Sequence, residues 1–326
     1  MPGIHNLNNT SYKKILAFAM IYLIWGTTYL FIRLAIDTIP PFMMAGLRLV
    51  IAGILFYSWC YWRFEKKPGT RDWGNASIPG ILMFVGGNGV LTWSEQFIPS
   101  GLAALMIATV PIWMVLIDWL SGKGERPDKW TISGILLGLT GVAFLFSVDE
   151  SILVSTADES WSVIFGILML LFAAISWASG SLYSRHIKST VSLQFTISIQ
   201  ILVGGIALLL LSLIQNEWSD MSIRHISTLS LFSVIYLIIF GTLLAYSAYI
   251  WLLRVSTPAK VGTYAFFNPL VAVVLGWLLL NESMTLHTII GAVCILTSIL
   301  LTNKLRFKLF AKTSISSFIE SRNRTE

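Results

Sequence analysis

Arg48 is the one basic side chain set well inside an apolar run of this 326-residue sequence. It stands about six residues into a predicted helix, roughly 9 Å from its end at 1.5 Å per residue. A guanidinium there costs about 2.5–3.5 kcal/mol on membrane-insertion scales, so it needs a partner or a task. It can anchor the carboxylate of a small solute, form an ion pair with Glu95 at comparable depth, or snorkel to the headgroups. Asn88 and Tyr246 place an amide and a phenol at mid-run, and Asn268 adds a second amide. Trp25 and Trp177 lie deep enough to wall an aromatic pocket, although filling space between helices is an equal use of them. Pro111 and Pro269 fall near the middle of their runs. Each removes a backbone donor and frees a carbonyl four residues earlier, which suits a helix break, a hinge or a cavity edge. Together these residues suit recognition of a small amphipathic solute.

The elements that carry them are apolar and long. Hydrophobic residues make up 56% of the chain and charged ones 12%, about half the charged share of a soluble domain. That excludes a large water-exposed surface. Windows of about 20 residues, the length that crosses roughly 30 Å of hydrocarbon, predict ten spans. They lie near 15–36, 42–61, 78–98, 102–120, 131–148, 161–183, 193–214, 229–253, 261–280 and 286–303. The first apolar run is too long, and lacks a small-residue cleavage site, to read as a removable signal.

Placing the charges orients the spans. With the N-terminus in the cytoplasm, 19 of the 22 Lys and Arg fall on cytoplasmic segments; Arg33 and Arg224 fall opposite, and Arg48 lies within a span. This asymmetry puts both termini on the cytoplasmic side. It also explains the net charge of +6 without nucleic acid, which is not expected as a partner. Trp59, Trp62, Trp73, Trp119, Trp130, Trp161, Trp218 and Trp277 lie near the expected interfaces, where tryptophan anchors a helix.

The sequence also repeats itself. Adding 152 carries Trp25 to Trp177, Arg33 to Arg185, Arg48 to Gln200 and Gly53 to Gly205. Adding 158 carries Asn88 to Tyr246, Trp93 to Trp251, Pro111 to Pro269 and Trp119 to Trp277. Five spans per copy is an odd number, so the second copy enters the membrane the opposite way. The expected fold is therefore an all-α integral membrane protein with ten transmembrane helices in two inverted-topology five-helix repeats. The first repeat covers 15–148 and the second 161–303, joined by an acidic extracytoplasmic linker at 149–160 and followed by a basic cytoplasmic tail at 304–326. Inverted repeats imply alternating access around a site near the midplane.

Trp25-Gly26-Thr27-Thr28-Tyr29, Pro40-Pro41 and Arg48, with Ser100-Gly101, Pro111 and Gly134 further on, resemble the EamA-type carriers of the drug/metabolite transporter superfamily. The second copy repeats the pattern with Lys260, Pro269, Asn281-Glu282-Ser283 and Gly291. The resemblance covers about 15–303 and implies export or exchange of small metabolites, amino acids or toxic compounds. By resemblance the setting is the plasma membrane of a bacterium.

The competing class is an integral membrane enzyme acting on lipid-like substrates. Such enzymes gather acids, histidines or a metal near one interface, whereas His5, His186, His225 and His287 are dispersed and the carboxylates form no close motif. Cys60 and Cys294 sit in apolar stretches and suggest neither a disulfide framework nor a zinc site. Gly86-Gly87-Asn88-Gly89 lacks the following Lys-Ser/Thr of a phosphate loop. No catalytic residue, metal or cofactor is expected. The expected partners are a small-molecule substrate and the lipid bilayer. No acid or histidine sits at mid-span, so the sequence leaves proton coupling and passive exchange both open.

Overall fold

The computed structural model describes residues 4–94, 96, 103, 106–122, 124, 126–146, 160–219, 225–280 and 286–302. Among these residues every regular element is helical. The helices are α1 (Ile4–Ile36), α2 (Pro41–Arg63), α3 (Thr70–Ser94), α4 (Val110–Leu120), α5 (Lys129–Phe146) and α6 (Ser160–His186). They continue with α7 (Leu193–Ile214), α8 (Thr228–Val255), the short α9 (Pro258–Gly262), α10 (Tyr264–Leu280) and α11 (Leu286–Thr302).

Helix ends follow from local chemistry. Pro41 and Pro258 occupy first-turn positions of α2 and α9, where no backbone donor is needed. Ser227 and Ser192 cap α8 and α7, accepting from Ser230 N at 3.0 Å and Phe195 N at 3.4 Å. Six helices are long and apolar enough to cross a membrane, in the regions of α1, α2, α3, α6, α7 and α8. Shorter apolar helices occupy Val110–Leu120, Lys129–Phe144 and Ile289–Thr302. Long and short helices alike carry exposed apolar side chains, among them Leu23, Ile54, Leu55, Leu210, Phe232 and Leu296. In lipid such side chains are solvated by acyl chains.

Packing follows the sequence repeat. The rule pairs α1 with α6, α2 with α7, α3 with α8, α4 with α10 and α5 with α11. Under it, the contact of α1 with α8 becomes that of α6 with α3, and both occur. The contact of α1 with α10 likewise becomes that of α6 with α4, and α3 on α7 becomes α8 on α2. Two contacts map onto themselves, α2 on α7 and α5 on α11, and both are very close. A Cβ added at Gly205 would lie 2.7 Å from Val50 N, and one at Gly134 would lie 3.0 Å from Thr302 N. Small residues at these points let the backbones approach as membrane helices require.

Helices α3 and α8 share a further feature. The stretches Ile81–Gly89 and Leu237–Tyr246 are π-helical, and adding 158 superposes one on the other almost residue for residue. A π turn widens the helix and leaves local carbonyls to be satisfied from outside. Side chains of the opposite half answer them: Trp25 Nε1 donates to Gly241 O at 3.1 Å, and Ser176 Oγ donates to Leu82 O at 2.7 Å.

Pro111 departs from the expected mid-helix position. It lies in the first turn of α4, after a turn at Ala108–Thr109, so the helix is broken before the proline rather than by it. Pro269 lies inside α10 as expected.

Candidate functional site

A cavity of about 90 Å³ opens between the two halves, with walls from α1, α2, α3, α6, α8 and α10 and the residues around Val110. Trp25, Arg48, Asn88, Trp177, Tyr246 and Asn268 all line it. Pro111 and Pro269 do not, but their preceding neighbours Val110 and Asn268 do. Trp113, another deep tryptophan, stays off the wall and donates to Thr109 Oγ1 at 3.2 Å.

Arg48 is 5% exposed, and its Nη2 donates to Asn88 Oδ1 at 2.5 Å. The bond ties α2 to α3 and fixes the guanidinium at the cavity wall. A hydrogen bond to a charged group contributes about 1.5–3 kcal/mol, enough to offset much of the cost of holding the charge at this depth. Glu95, the expected ion-pair partner, lies outside the described residues.

The mirror-related positions repeat this bond with different chemistry. Gln200 stands where the repeat places Arg48, and Tyr246 stands where it places Asn88. Tyr246 Oη donates to Gln200 Oε1 at 2.7 Å, and Gln200 Nε2 donates to Ser184 Oγ at 2.8 Å. Gln200 is fully buried, and Tyr246, itself buried, is one of the residues that line the cavity.

Aromatic rings cluster along part of the wall. Trp25 packs against Trp177 at 5.7 Å and Tyr264 at 4.8 Å, both edge-on. Tyr249 lies behind them, 5.0 Å from Trp25 and 5.5 Å from Tyr264. Its hydroxyl is bonded to Ser181 Oγ at 2.7 Å and accepts from Trp177 Nε1 at 3.1 Å. Edge-to-face rings of this kind pack favourably, and the Tyr249 hydroxyl and the Trp177 indole nitrogen are both hydrogen-bonded.

Sequence reasoning passed over Thr28, Tyr29, Thr242 and Tyr264, which also line the cavity. Tyr264 was within reach, because it lies four residues before Asn268 and therefore on the same helical face. Among the described residues no group of three His, Cys, Asp or Glu is placed to hold a metal ion.

Described residues that form only helices, six of them long and apolar enough to cross a membrane, and a cavity between two related halves are the build of a membrane transporter. The chain belongs to the EamA-like transporter family, which it matches over residues 13–147 and again over 164–304. It is 36% identical over 267 residues to an uncharacterized inner membrane transporter, YedA, of Escherichia coli K12, covering 81% of this chain and 82% of that one. It is 25% identical over 286 residues to a probable amino-acid metabolite efflux pump of the same organism, covering 86% and 91%. A solved crystal structure shares the fold with a TM-score of 0.72 at 17% identity, over 91% of this chain and 98% of its own. The family and these named relatives are transporters rather than enzymes.

Proposed function

We propose that this chain is a secondary transporter of small amphipathic metabolites, amino acids and related carboxylates among them, which it exports or exchanges. In this reading ten helices form two inverted five-helix repeats, 15–148 and 161–303, with both termini cytoplasmic. The repeats rock about the cavity, exposing it to each side in turn.

The observation that carries the reading is the composition of the cavity wall. Each half contributes: Trp25, Arg48 and Asn88 from the first, Trp177, Tyr246 and Asn268 from the second. A site shared by two rigid halves is the one place where a relative movement alters access without dismantling the site. Arg48 supplies a fixed positive charge for a carboxylate, and Trp25, Trp177 and Tyr264 supply apolar faces for the rest of the solute. The match to a relative named as an amino-acid metabolite efflux pump points to the same solute class.

The test is counterflow in liposomes containing the purified protein. Vesicles preloaded with an unlabelled amino acid should accumulate the labelled one transiently, with and without an imposed pH gradient. Arg48→Ala should lower the rate for carboxylates by about tenfold or more, the worth of one charge-assisted hydrogen bond. Absence of counterflow across a broad panel of amino acids, other carboxylates and cationic toxicants would defeat the proposal.

A further inference from the structure

Asn268 differs from the other polar residues of the cavity wall. It is 2% exposed and lines the cavity, yet its Oδ1 has no hydrogen-bond partner among the described residues. A buried amide carbonyl is costly to leave so, and native proteins rarely do it without a reason.

The duplication of the fold does not supply that reason. The mirror position of Asn268, reached by subtracting 158, is Val110, and Val110 lines the same cavity. An apolar side chain is therefore sufficient at the equivalent place. Helix packing does not demand an amide either. Tyr264, one turn earlier on the same face, already fixes α10 against α1 through its ring contact with Trp25 at 4.8 Å.

The neighbouring groups narrow what Oδ1 is for. Guanidinium groups only donate, so Arg48 offers no acceptor. Asn88 Oδ1 receives Arg48, and Gly241 O receives Trp25. Tyr246 Oη gives its proton to Gln200. Asn268 Oδ1 is thus a buried, uncommitted side-chain carbonyl of a cavity-lining residue, whereas Asn88 Oδ1 and Gly241 O are engaged.

We propose that Asn268 Oδ1 accepts a hydrogen bond from an N–H of the transported solute. The solute then carries an amino group in addition to the carboxylate suited to Arg48, and Asn268 is the residue that reads it. The proposal rests on the transporter reading and sharpens it. A carboxylate of equal size without the amino group meets Arg48 but leaves Asn268 unanswered.

The experiment is counterflow with matched pairs, each an α-amino acid and its deamino carboxylate, leucine with 4-methylpentanoate being one. The wild-type protein should favour the amino member by about tenfold or more, the worth of a hydrogen bond to a charged donor. Asn268→Leu, similar in size but without an acceptor, should bring the ratio close to one by slowing the amino member alone. Asn268→Asp keeps the acceptor and adds charge, so it should preserve or raise the ratio. It also carries the test if the leucine variant does not fold, since a ratio that fell to one in Asn268→Asp would overturn the assignment. Equal transport of both members by the wild type, or an equal loss of both in Asn268→Leu, would overturn it while leaving the transporter reading in place. No flux from any pair would overturn both.

Discussion

The bond between Arg48 and Asn88 and the bond between Gln200 and Tyr246 are one contact made twice. Each joins the second helix of a repeat to its third, at positions that the repeat superposes. In the first half the contact holds a charge at the cavity wall; in the second it is neutral, and a fully buried glutamine orients a tyrosine. The same division recurs near the helix ends. Asp72 at the start of α3 accepts from Thr190 N and Thr190 Oγ1, both at 2.8 Å, from Gly69 N at 3.2 Å and from Ser189 Oγ at 3.3 Å. Its mirror residue is Ser230 at the start of α8, and the mirror of Thr190 is Thr38. Thr38 Oγ1 donates to Ser230 Oγ at 2.8 Å, and Ser230 Oγ donates to Leu34 O at 2.8 Å. At both pairs of positions the repeat keeps the contact, and the charged version of it stands in the first half. A transporter with one charged pole in its cavity can orient an asymmetric solute, which two identical poles would not do.

The largest effect should come from Asp72→Ala. It removes four hydrogen bonds to one carboxylate and leaves buried donors behind, which should lower stability by about 3 kcal/mol, read as a fall in unfolding temperature in detergent. Arg48→Gln turns the charged contact into the neutral kind found in the other half. Its flux with carboxylates should fall about tenfold or more while the unfolding temperature changes little, because the lost bond to Asn88 is offset by no longer holding a charge at this depth. Equal losses of stability and flux would mean that Arg48 serves packing alone. Tyr246→Phe leaves Gln200 Oε1 buried without its donor, at a cost of about 1–2 kcal/mol. Ser230→Ala, the neutral counterpart of Asp72→Ala, should cost only about 1 kcal/mol. If the two substitutions proved equal, the charge at Asp72 would add nothing to the tie.

Much of this was legible in the sequence for one physical reason. A charge, an amide or an indole within an apolar span must find a partner or a cavity, so Arg48, Asn88, Asn268, Trp25 and Trp177 mark the interior. Tyr246 was reached only through the repeat, as the mate of Asn88. Thr28 and Tyr264 were not singled out, because a hydroxyl can satisfy itself locally: Thr28 Oγ1 donates to Trp25 O at 2.7 Å within its own helix. The π-helical stretches leave no residue signature of their own. Pro111 marks an interruption of the helical hydrogen bonding without fixing on which side of it the helix lies: inside a helix a proline frees a carbonyl, whereas in the first turn it has no donor to lose. Span length alone identifies six of the expected ten crossings among the described residues.

Access to the cavity from the two sides of the membrane tests the central claim most directly. Thr28 lines the cavity, so Thr28→Cys, with Cys60 and Cys294 replaced, sets a thiol on its wall. In oriented vesicles a membrane-impermeant thiol reagent should reach this cysteine from either face, and a transported solute should slow its reaction. Reaction from one face only, unchanged by solute, would contradict a cavity that alternates between the two sides.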